Sequence, residues 1–350
     1  MPPLEPRPSA QAVQQRAPGC PKRMVHGPCG GVRPGGGCEM VPDPCVFLDL
    51  EHPPAVPPVE PVPQVVVPLV LTDLSVPPAD AAILSRTARQ LVSSCDALLV
   101  GDHQDRPDFP PTVLARLIGE AGGRPWVTLA CRDRNRIVLE QELYGLRLDG
   151  LATVLCVTGD GRAYDVRPDV TQVFDLDGTR LAGLAASLGL PVAVAETPNA
   201  PPLRLRPERL VRKQLAGAGV AVLNHVRTAG QVAEFLAAAQ VLGLTIPVVA
   251  SVAVYTDERS AAVLTALPGL EIDPAAVTAV LAAADPVEAG IATAVAEAAA
   301  LLAVPGVAGV NLSGLASARG VGFAADVQAE VGRRVKAASV ATQEAGDSGE

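Results

Sequence analysis

The sequence has few aromatic residues and no cluster of basic ones. Phe, Tyr and Trp make up 3% of the 350 residues, and the formal net charge at pH 7 is −9. Surfaces that bind nucleic acid or anionic membranes need concentrated Lys and Arg, so neither is expected as the main partner. An acidic chain of this kind can still hold an anionic ligand at one local site.

Long apolar runs are also missing. The stretch Ala292–Val304 is interrupted by Glu297, and the Pro-rich, Arg-containing start has no apolar signal core. Neither a membrane span nor a secretory signal is predicted, and we expect a cytoplasmic protein. Seven cysteines are too few for a disulfide framework in a chain of this size, so Cys95, Cys131 and Cys156 are expected to stay thiols.

What the sequence does have is a repeat of short apolar, β-branched runs, each followed by a stretch of helical spacing or composition. There are eight runs, at Val66–Leu71, Ala97–Val100, Trp126–Ala130, Thr153–Val157, Pro191–Ala195, Val220–Leu223, Pro247–Val252 and Val307–Leu312. This pattern predicts a (β/α)8 TIM barrel over residues 65–335, with its chemistry at the carboxyl ends of the strands. The composition, 49% hydrophobic and 19% charged, is sufficient for the large core that such a barrel needs.

A Gly- and Pro-rich segment, residues 19–50, holds four cysteines and too little apolar surface to fold around a core. The cysteines are Cys20, Cys29, Cys38 and Cys45. Four thiolates can bind a metal, which supplies folding energy where a core cannot. Tetrahedral Zn²⁺ is the first expectation and an iron–sulfur cluster the second. Scattered thiols in a disordered arm are the alternative, and His26 could replace one cysteine.

Composition also sets the remaining boundaries. Residues 1–18 are expected to be disordered, and so is the polar stretch 336–350. Residues 51–64 carry six prolines, which favour a stiff extended linker. The cysteine segment is therefore expected to be a tethered appendage of the barrel.

Polar residues follow the first six predicted strands. They include Asp73, Asp102, Arg132, Arg134, Asp160, Asn199 and Asn224. Because the carboxyl ends of barrel strands share one face, these groups are expected to converge there, as in an active site. Some could instead cap helices, as Asp80 is expected to do and as Asp133 and Asp160 could do in part.

Three segments of the barrel carry a further pattern, namely Cys131–Arg136 (CRDRNR), Val154–Asp160 (VLCVTGD) and Phe174–Asp177 (FDLD). In order and spacing they resemble methylenetetrahydrofolate reductases with a TCRDRNR…LTGD…FDLD pattern. Leu210–Gly219, followed by Asn224, resembles the family segment that ends in KVDAGA. The resemblance spans about residues 66–334. The cysteine segment resembles a module, CPK…GPCGG…CE…C, found with such reductases and in the small partner subunit of some acetogenic versions.

The resemblance implies reduction of 5,10-methylenetetrahydrofolate to 5-methyltetrahydrofolate by hydride from NAD(P)H, normally through a flavin, for methionine synthesis. The substrate must open to an iminium ion, which needs an acid. Family members use a glutamate after the first strand. Asp73, one residue out of step with the usual Glu-x-x-Pro-Pro spacing, is the candidate acid here, with a turn cap as the alternative. Asp160 is implied to face the flavin and pterin rings.

The resemblance also implies binding residues. Those for the flavin, FAD or FMN, are Thr128, Arg132, Thr158, Gly159, Asn199, Arg212 and Lys213. Asn224 replaces a family glutamine that contacts the folate. Gly159 would let the backbone approach a flat ring.

Alternatives remain for these residues. Without the family, Arg212 and Lys213 would be solvated charges on a helix face, and Arg132 and Arg134 could form salt bridges on the rim. The family often has histidine where Thr128 stands and arginine where Thr158 stands, and an aromatic residue of its fifth-strand segment is missing. Direct hydride transfer from NADH without flavin is therefore an alternative.

The sequence is also compatible with two other functions. The chain could be an accessory subunit of one-carbon metabolism without hydride chemistry of its own, since a similar cysteine module occurs in such a subunit. It could also be a barrel enzyme for another pterin or for a deazaflavin. The sequence leaves open whether the chain associates with itself or with a one-carbon-pathway partner.

Overall fold

The computed structural model, which describes residues 19–162, 166–266 and 270–347, contains a closed barrel of eight parallel strands. The strands are β1 (Val70–Asp73), β2 (Ala97–Val100), β3 (Pro125–Ala130), β4 (Thr153–Val157), β5 (Val192–Glu196), β6 (Val220–Leu223), β7 (Val248–Ala253) and β8 (Val307–Ser313). Strand β8 pairs with β1 through Val70 and Val310, which closes the barrel. The predicted (β/α)8 fold is confirmed. Strand β1 begins later than predicted because Pro68 has no N–H for the strand ladder.

Helices surround the barrel. They are α1 (Ala81–Leu91), α2 (Pro111–Glu120), α3 (Arg136–Asp149), α4 (Gly178–Ser187), α5 (Arg206–Leu215), α6 (Ala229–Val241), α7 (Glu258–Thr265), α8 (Pro274–Leu281), α9 (Pro286–Leu302) and α10 (Val321–Asp347), with a 3-10 turn at Leu203–Leu205. The Asp80 carboxylate accepts from the Ile83 amide at 2.9 Å, as predicted for the cap of α1. Helix α3 is capped by Asn135 and not by Asp133. None of the described helices combines the length and the apolar composition that a bilayer crossing requires.

The core has two layers, because side chains of each strand alternate between the barrel interior and the helices. The interior layer includes Leu71, Leu99, Trp126, Leu155 and Val249. Trp126 is fully buried there. The outer layer joins the strands to the helices, and its buried members include Leu98, Val127 and Val154.

Helix α10 corrects the prediction of a disordered tail from residue 336, since it continues to Asp347. Val327, Val331 and Val335 are buried at helical spacing. The Lys336 ammonium lies 2.7 Å from the Asp96 carboxylate, which ties this part of the helix to the barrel. Residues 348–350 and the N-terminal residues 1–18, both predicted to be disordered, lie outside the described residues.

The cysteine arm, residues 19–50, and the linker, residues 51–64, form neither helix nor strand. The arm lies on the carboxyl face of the barrel, where the Val25 amide donates to the Asp177 carboxylate at 2.9 Å. The linker is also in contact with the barrel, because the Val59 amide donates to the Leu215 carbonyl at 2.9 Å. The arm is therefore docked on its own barrel and is not the tethered appendage that its composition suggested.

Candidate functional site

A cavity of about 320 Å³ lies between the carboxyl ends of β2–β6 and the arm. The barrel contributes Asp102, Gln104, Thr128, Arg132, Thr158, Gly159, Asp160, Glu196, Thr197, Arg209, Lys213 and Asn224, and the arm contributes Lys22, Cys29, Gly30 and Gly31. The volume is at the lower end of the range for ligand sites. Polar groups from five strands thus converge on the face where a barrel of this type carries its chemistry.

The Gly159–Asp160 pair follows β4 and forms one wall of the cavity. Gly159 has a φ of +88°, and a Cβ there would stand 3.1 Å from the Arg132 Cβ, so only glycine fits this approach. The Asp160 carboxylate accepts from the Gln104 amide at 3.3 Å. Burial raises the pKa of Asp160, although the nearby charge of Lys22 opposes this rise.

A network of ion pairs occupies the rim beside this wall. The Arg132 guanidinium donates to the Asp133 carboxylate at 2.8 Å and to the His103 carbonyl at 2.8 Å. Arg162 reaches the same Asp133 carboxylate at 2.8 Å, and Arg134 pairs with Asp102. The alternative of rim salt bridges is what the structure shows for Arg132 and Arg134. A guanidinium engaged in this way has little capacity left for a phosphate.

Glu196, at the end of β5, is a site residue that sequence reasoning did not single out. It is buried, and the ammonium of Lys213 lies 2.7 Å from its Oε2. The guanidinium nitrogens of Arg206 and Arg209 lie 3.4 and 3.7 Å from its carboxylate oxygens. Burial opposes ionisation of Glu196, but the three cations outweigh it and lower its pKa to about 2.

The spacing on α5 could have revealed this cluster. Arg206, Arg209 and Lys213 share one helix face, whereas Arg212 lies off that face and pairs with Glu208 at 2.7 Å. The structure therefore places Lys213 at the cavity and Arg212 outside its lining. Arg209 lines the cavity, is 4% exposed, and keeps Nη1 without a hydrogen-bond partner among the described residues. It is the basic residue of α5 with capacity for an anionic group.

Asp73 lies on the inner face of the barrel and is absent from the lining of the cavity that holds Asp160. The Asn311 amide donates to its Oδ1 at 3.0 Å from the neighbouring β8, so the carboxylate faces β8 and does not act as a turn cap. Burial raises the pKa of Asp73, against the hydrogen bonds from Asn311 and Ser313. This shift favours the protonated form that an acid needs, but the two candidate carboxylates do not share one cavity.

The two predicted asparagines differ in position. Asn224 lines the cavity, and its amide donates to the Thr197 hydroxyl at 3.0 Å. Asn199 does not line it, although its Oδ1 is buried without a hydrogen-bond partner among the described residues. Thr128 and Thr158 both line the cavity, and the Thr158 hydroxyl accepts from the Gly178 amide at 2.9 Å.

The four cysteines Cys20, Cys29, Cys38 and Cys45 line one cavity of about 200 Å³ inside the arm. No three His, Cys, Asp or Glu side chains in the described part of the chain are placed to hold a metal as they stand. The Cys29 thiol donates to the Glu39 carboxylate at 3.3 Å, and burial raises its pKa to about 11. His26 lines a different cavity, between the linker and α4, so it does not join the cysteines.

The residues at the barrel cavity do not match a flavin site. Among the described residues that line it, none is aromatic, so no ring is available for stacking on the isoalloxazine. Of the basic residues predicted to hold the flavin phosphates, Arg132 and Lys213 are engaged by carboxylates and Arg212 lies outside.

Comparison with known proteins supports the architecture. No family model and no curated protein matches the chain. Among solved structures, an uncharacterized protein from Clostridium thermocellum that binds two copies of 5-methyl-5,6,7,8-tetrahydrofolic acid has a TM-score of 0.52 at 12% identity, over 76% of this chain and 93% of that chain. A tryptophan synthase from M. tuberculosis has a TM-score of 0.42 at 14% identity, over 76% of this chain and 91% of that chain. At these identities the likeness shows the barrel fold of the chain and nothing finer.

Proposed function

We propose that the chain binds a reduced folate in the barrel cavity and reduces 5,10-methylenetetrahydrofolate to 5-methyltetrahydrofolate with hydride from NAD(P)H. The observation that carries this proposal is the position of Asp160 in the lining of the cavity, beside the bare backbone of Gly159. A carboxylate placed in this way can accept hydrogen bonds from the ring N–H groups of a flat pterin. The Clostridium protein with the same fold binds 5-methyltetrahydrofolic acid, which supports a folate as the ligand.

The reaction balances without a further reactant. Protonation lets one folate nitrogen leave the methylene carbon, and the resulting iminium carbon accepts a hydride from the nicotinamide, which is oxidised to NAD(P)⁺. In this proposal the negative charge of Asp160 stabilises the positive charge that develops on the pterin. The hydride passes directly from the nicotinamide, because the lining residues do not provide a flavin site.

Asp73 is the proposed acid, since burial raises its pKa and so keeps it protonated to higher pH. This role requires the ligand to extend from the cavity across the mouth of the barrel toward β1. Space exists on that path at the end of β2, where Gly101 is exposed and a Cβ would meet no atom within 4 Å.

We also propose that the four cysteines take up Zn²⁺ or an iron–sulfur cluster. They share one cavity, and a bound cation would draw the thiols together and replace their protons. The metal would stabilise the arm, and the proposed reaction has no step on it.

The test is anaerobic oxidation of NADH and of NADPH with and without 5,10-methylenetetrahydrofolate, with the product identified by chromatography and the absorption spectrum recorded. We expect a protein without flavin absorbance that oxidises nicotinamide only with the folate and forms 5-methyltetrahydrofolate. Asp160→Asn should lose most of this turnover. The matched control is Asp149→Asn, which removes a carboxylate at the end of α3 that pairs with the exposed Arg116 of α2. A flavin spectrum in active protein would refute the direct transfer.

A folate-binding accessory protein is the second candidate. The observation that favours it is the separation of Asp73 from the cavity that holds Asp160. Binding of 5-methyltetrahydrofolate without oxidation of either nicotinamide, at any added flavin concentration, would select this function.

A further inference from the structure

The arm forms one wall of the barrel cavity. Lys22, Cys29, Gly30 and Gly31 line it opposite the strand ends. The approach is close, because a Cβ on Gly30 would stand 2.8 Å from the Thr197 hydroxyl oxygen. No methyl group fits between the arm and β5 at this point, so the arm is seated directly against the site.

Hydrogen bonds hold the arm in this position. The Arg206 guanidinium donates to the Cys29 carbonyl at 2.9 Å, and the same side chain lies beside Glu196. On the other side of the cavity, the Gly161 amide donates to the Glu39 carboxylate at 2.8 Å. The contacts join the arm to the end of β4 and to α5, whose Arg206 pairs with Glu196 at the end of β5.

Lys22 is the charged side chain that the arm brings into the cavity. Its side chain is 3% exposed, its ammonium donates to the Gly159 carbonyl at 2.6 Å, and it pairs with Glu39. These two partners occupy two of its three N–H groups, and the centroid of the Phe174 ring lies 5.6 Å from the ammonium nitrogen without accepting a conventional hydrogen bond. Burying an ammonium group is costly unless it is fully paired, and an apolar residue would seat the arm without that cost.

The position of Lys22 gives the cavity a donor beside an acceptor. Lys22 and Asp160 both line the cavity. Lys22 donates to the Gly159 carbonyl, and Asp160 is the next residue in the chain after Gly159. A cationic N–H donor next to a carboxylate acceptor is complementary to a ring amide, which presents a carbonyl oxygen next to an N–H group. The charged groups closest to this pair are Glu39 and Arg132, and each is already engaged with a partner.

Resting on the proposed function, we propose that Lys22 is a ligand-binding residue of the barrel cavity, whose free N–H donates to the ring carbonyl of a pteridinone while Asp160 accepts from the neighbouring ring N–H. The arm then determines specificity, because it supplies the donor that recognises the carbonyl. A ligand with an amino group in place of that carbonyl presents a donor to a donor and is rejected.

The test is calorimetric titration of the full chain with tetrahydrofolate and with its 4-amino-4-deoxy analogue. Wild-type protein should prefer tetrahydrofolate by at least about 10-fold, from one charged hydrogen bond. Lys22→Met should weaken tetrahydrofolate binding by about 10- to 100-fold and leave the analogue unchanged, so that the preference disappears. Lys22→Arg should keep part of the preference for tetrahydrofolate over the analogue. Lys336→Met, which removes a lysine at the far side of the barrel, is the control and should bind as wild type does.

The outcomes separate the two proposals. Wild-type protein that binds neither compound overturns the proposed function, and with it this inference. Wild-type protein that binds tetrahydrofolate, with an unchanged preference in Lys22→Met, overturns the role of Lys22 alone. If Lys22→Met does not fold, the wild-type comparison decides, because equal affinity for the two compounds contradicts a donor at the ring carbonyl.

Discussion

Replacing Glu196 by glutamine should destabilise the protein strongly, because the change leaves Arg206, Arg209 and Lys213 without their shared counterion. All four side chains are buried at the end of β5 and on α5. Removing one partner of a buried ion pair typically costs about 3–5 kcal/mol, since the remaining charge stays desolvated. Glutamine keeps the shape of the side chain, so the loss comes from charge and not from packing.

The pKa of Glu196 gives a second value for the free energy with which the three cations stabilise the folded protein. The carboxylate is held at a pKa of about 2 against an ordinary value of 4.5, and this difference corresponds to about 3 kcal/mol at neutral pH. Because the folded pKa is lowered, the stabilisation is complete above about pH 4.5 and is lost as the pH falls toward 2. The difference between wild type and Glu196→Gln should therefore shrink over that range.

Urea unfolding of the two proteins between neutral and acid pH measures this effect. We expect a lower midpoint for Glu196→Gln with a similar dependence of the unfolding free energy on urea. Glu140→Gln removes a half-exposed carboxylate paired with Arg136 on α3, and it should cost no more than about 0.5 kcal/mol. Equal midpoints for the two variants at neutral pH would refute the reasoning.

Three further changes test other parts of the structure. Gly309→Ala should destabilise the barrel by about 1–3 kcal/mol, because its Cβ would stand 2.0 Å from a backbone carbonyl before β1, whereas Gly322→Ala meets no atom and should raise the melting temperature. Burial opposes protonation of His225, but its contact with Glu297 at 2.6 Å and a hydrogen bond to a backbone carbonyl raise its pKa above 6.5. These contacts therefore stabilise the folded protein at acid pH, and this stabilisation is lost as the pH rises through the raised pKa. Glu297→Gln should accordingly lower the melting temperature more at about pH 5 than at about pH 9, and an equal loss at both would contradict this. Cys38→Ser should abolish the metal content of the purified chain as measured by mass spectrometry, and unchanged content would exclude the cysteine site.

The strands were predictable because buried parallel strands appear in a sequence as continuous apolar runs. Seven of the eight predicted runs begin and end within one residue of the observed strands. The first predicted run starts too early because it includes Pro68, which has no N–H to donate to the neighbouring strand. The prediction of a disordered tail from residue 336 failed because α10 continues past its last buried residue, Val335, and extending a helix that has already formed costs little.

Several residues of the site were predictable because the end of a strand fixes their position. Gly159, Asp160 and Asn224 follow strands and reach the cavity. On α5 the resemblance pointed to Arg212 and Lys213, of which Lys213 lines the cavity. The helix turns Arg209 to the cavity in place of Arg212, as the spacing of the three residues explains. The docking of the arm had no sequence signal, because a Gly- and Pro-rich loop has no periodicity from which a buried face can be inferred.

The central claim is that the cavity beside Asp160 holds a reduced folate, and calorimetric titration with 5-methyltetrahydrofolate tests it most directly. Wild-type protein should bind the compound, and Asp160→Asn should bind it about 10- to 100-fold more weakly, because a charged acceptor is lost at the ring. No binding by wild-type protein, or equal binding by both proteins, would contradict the account.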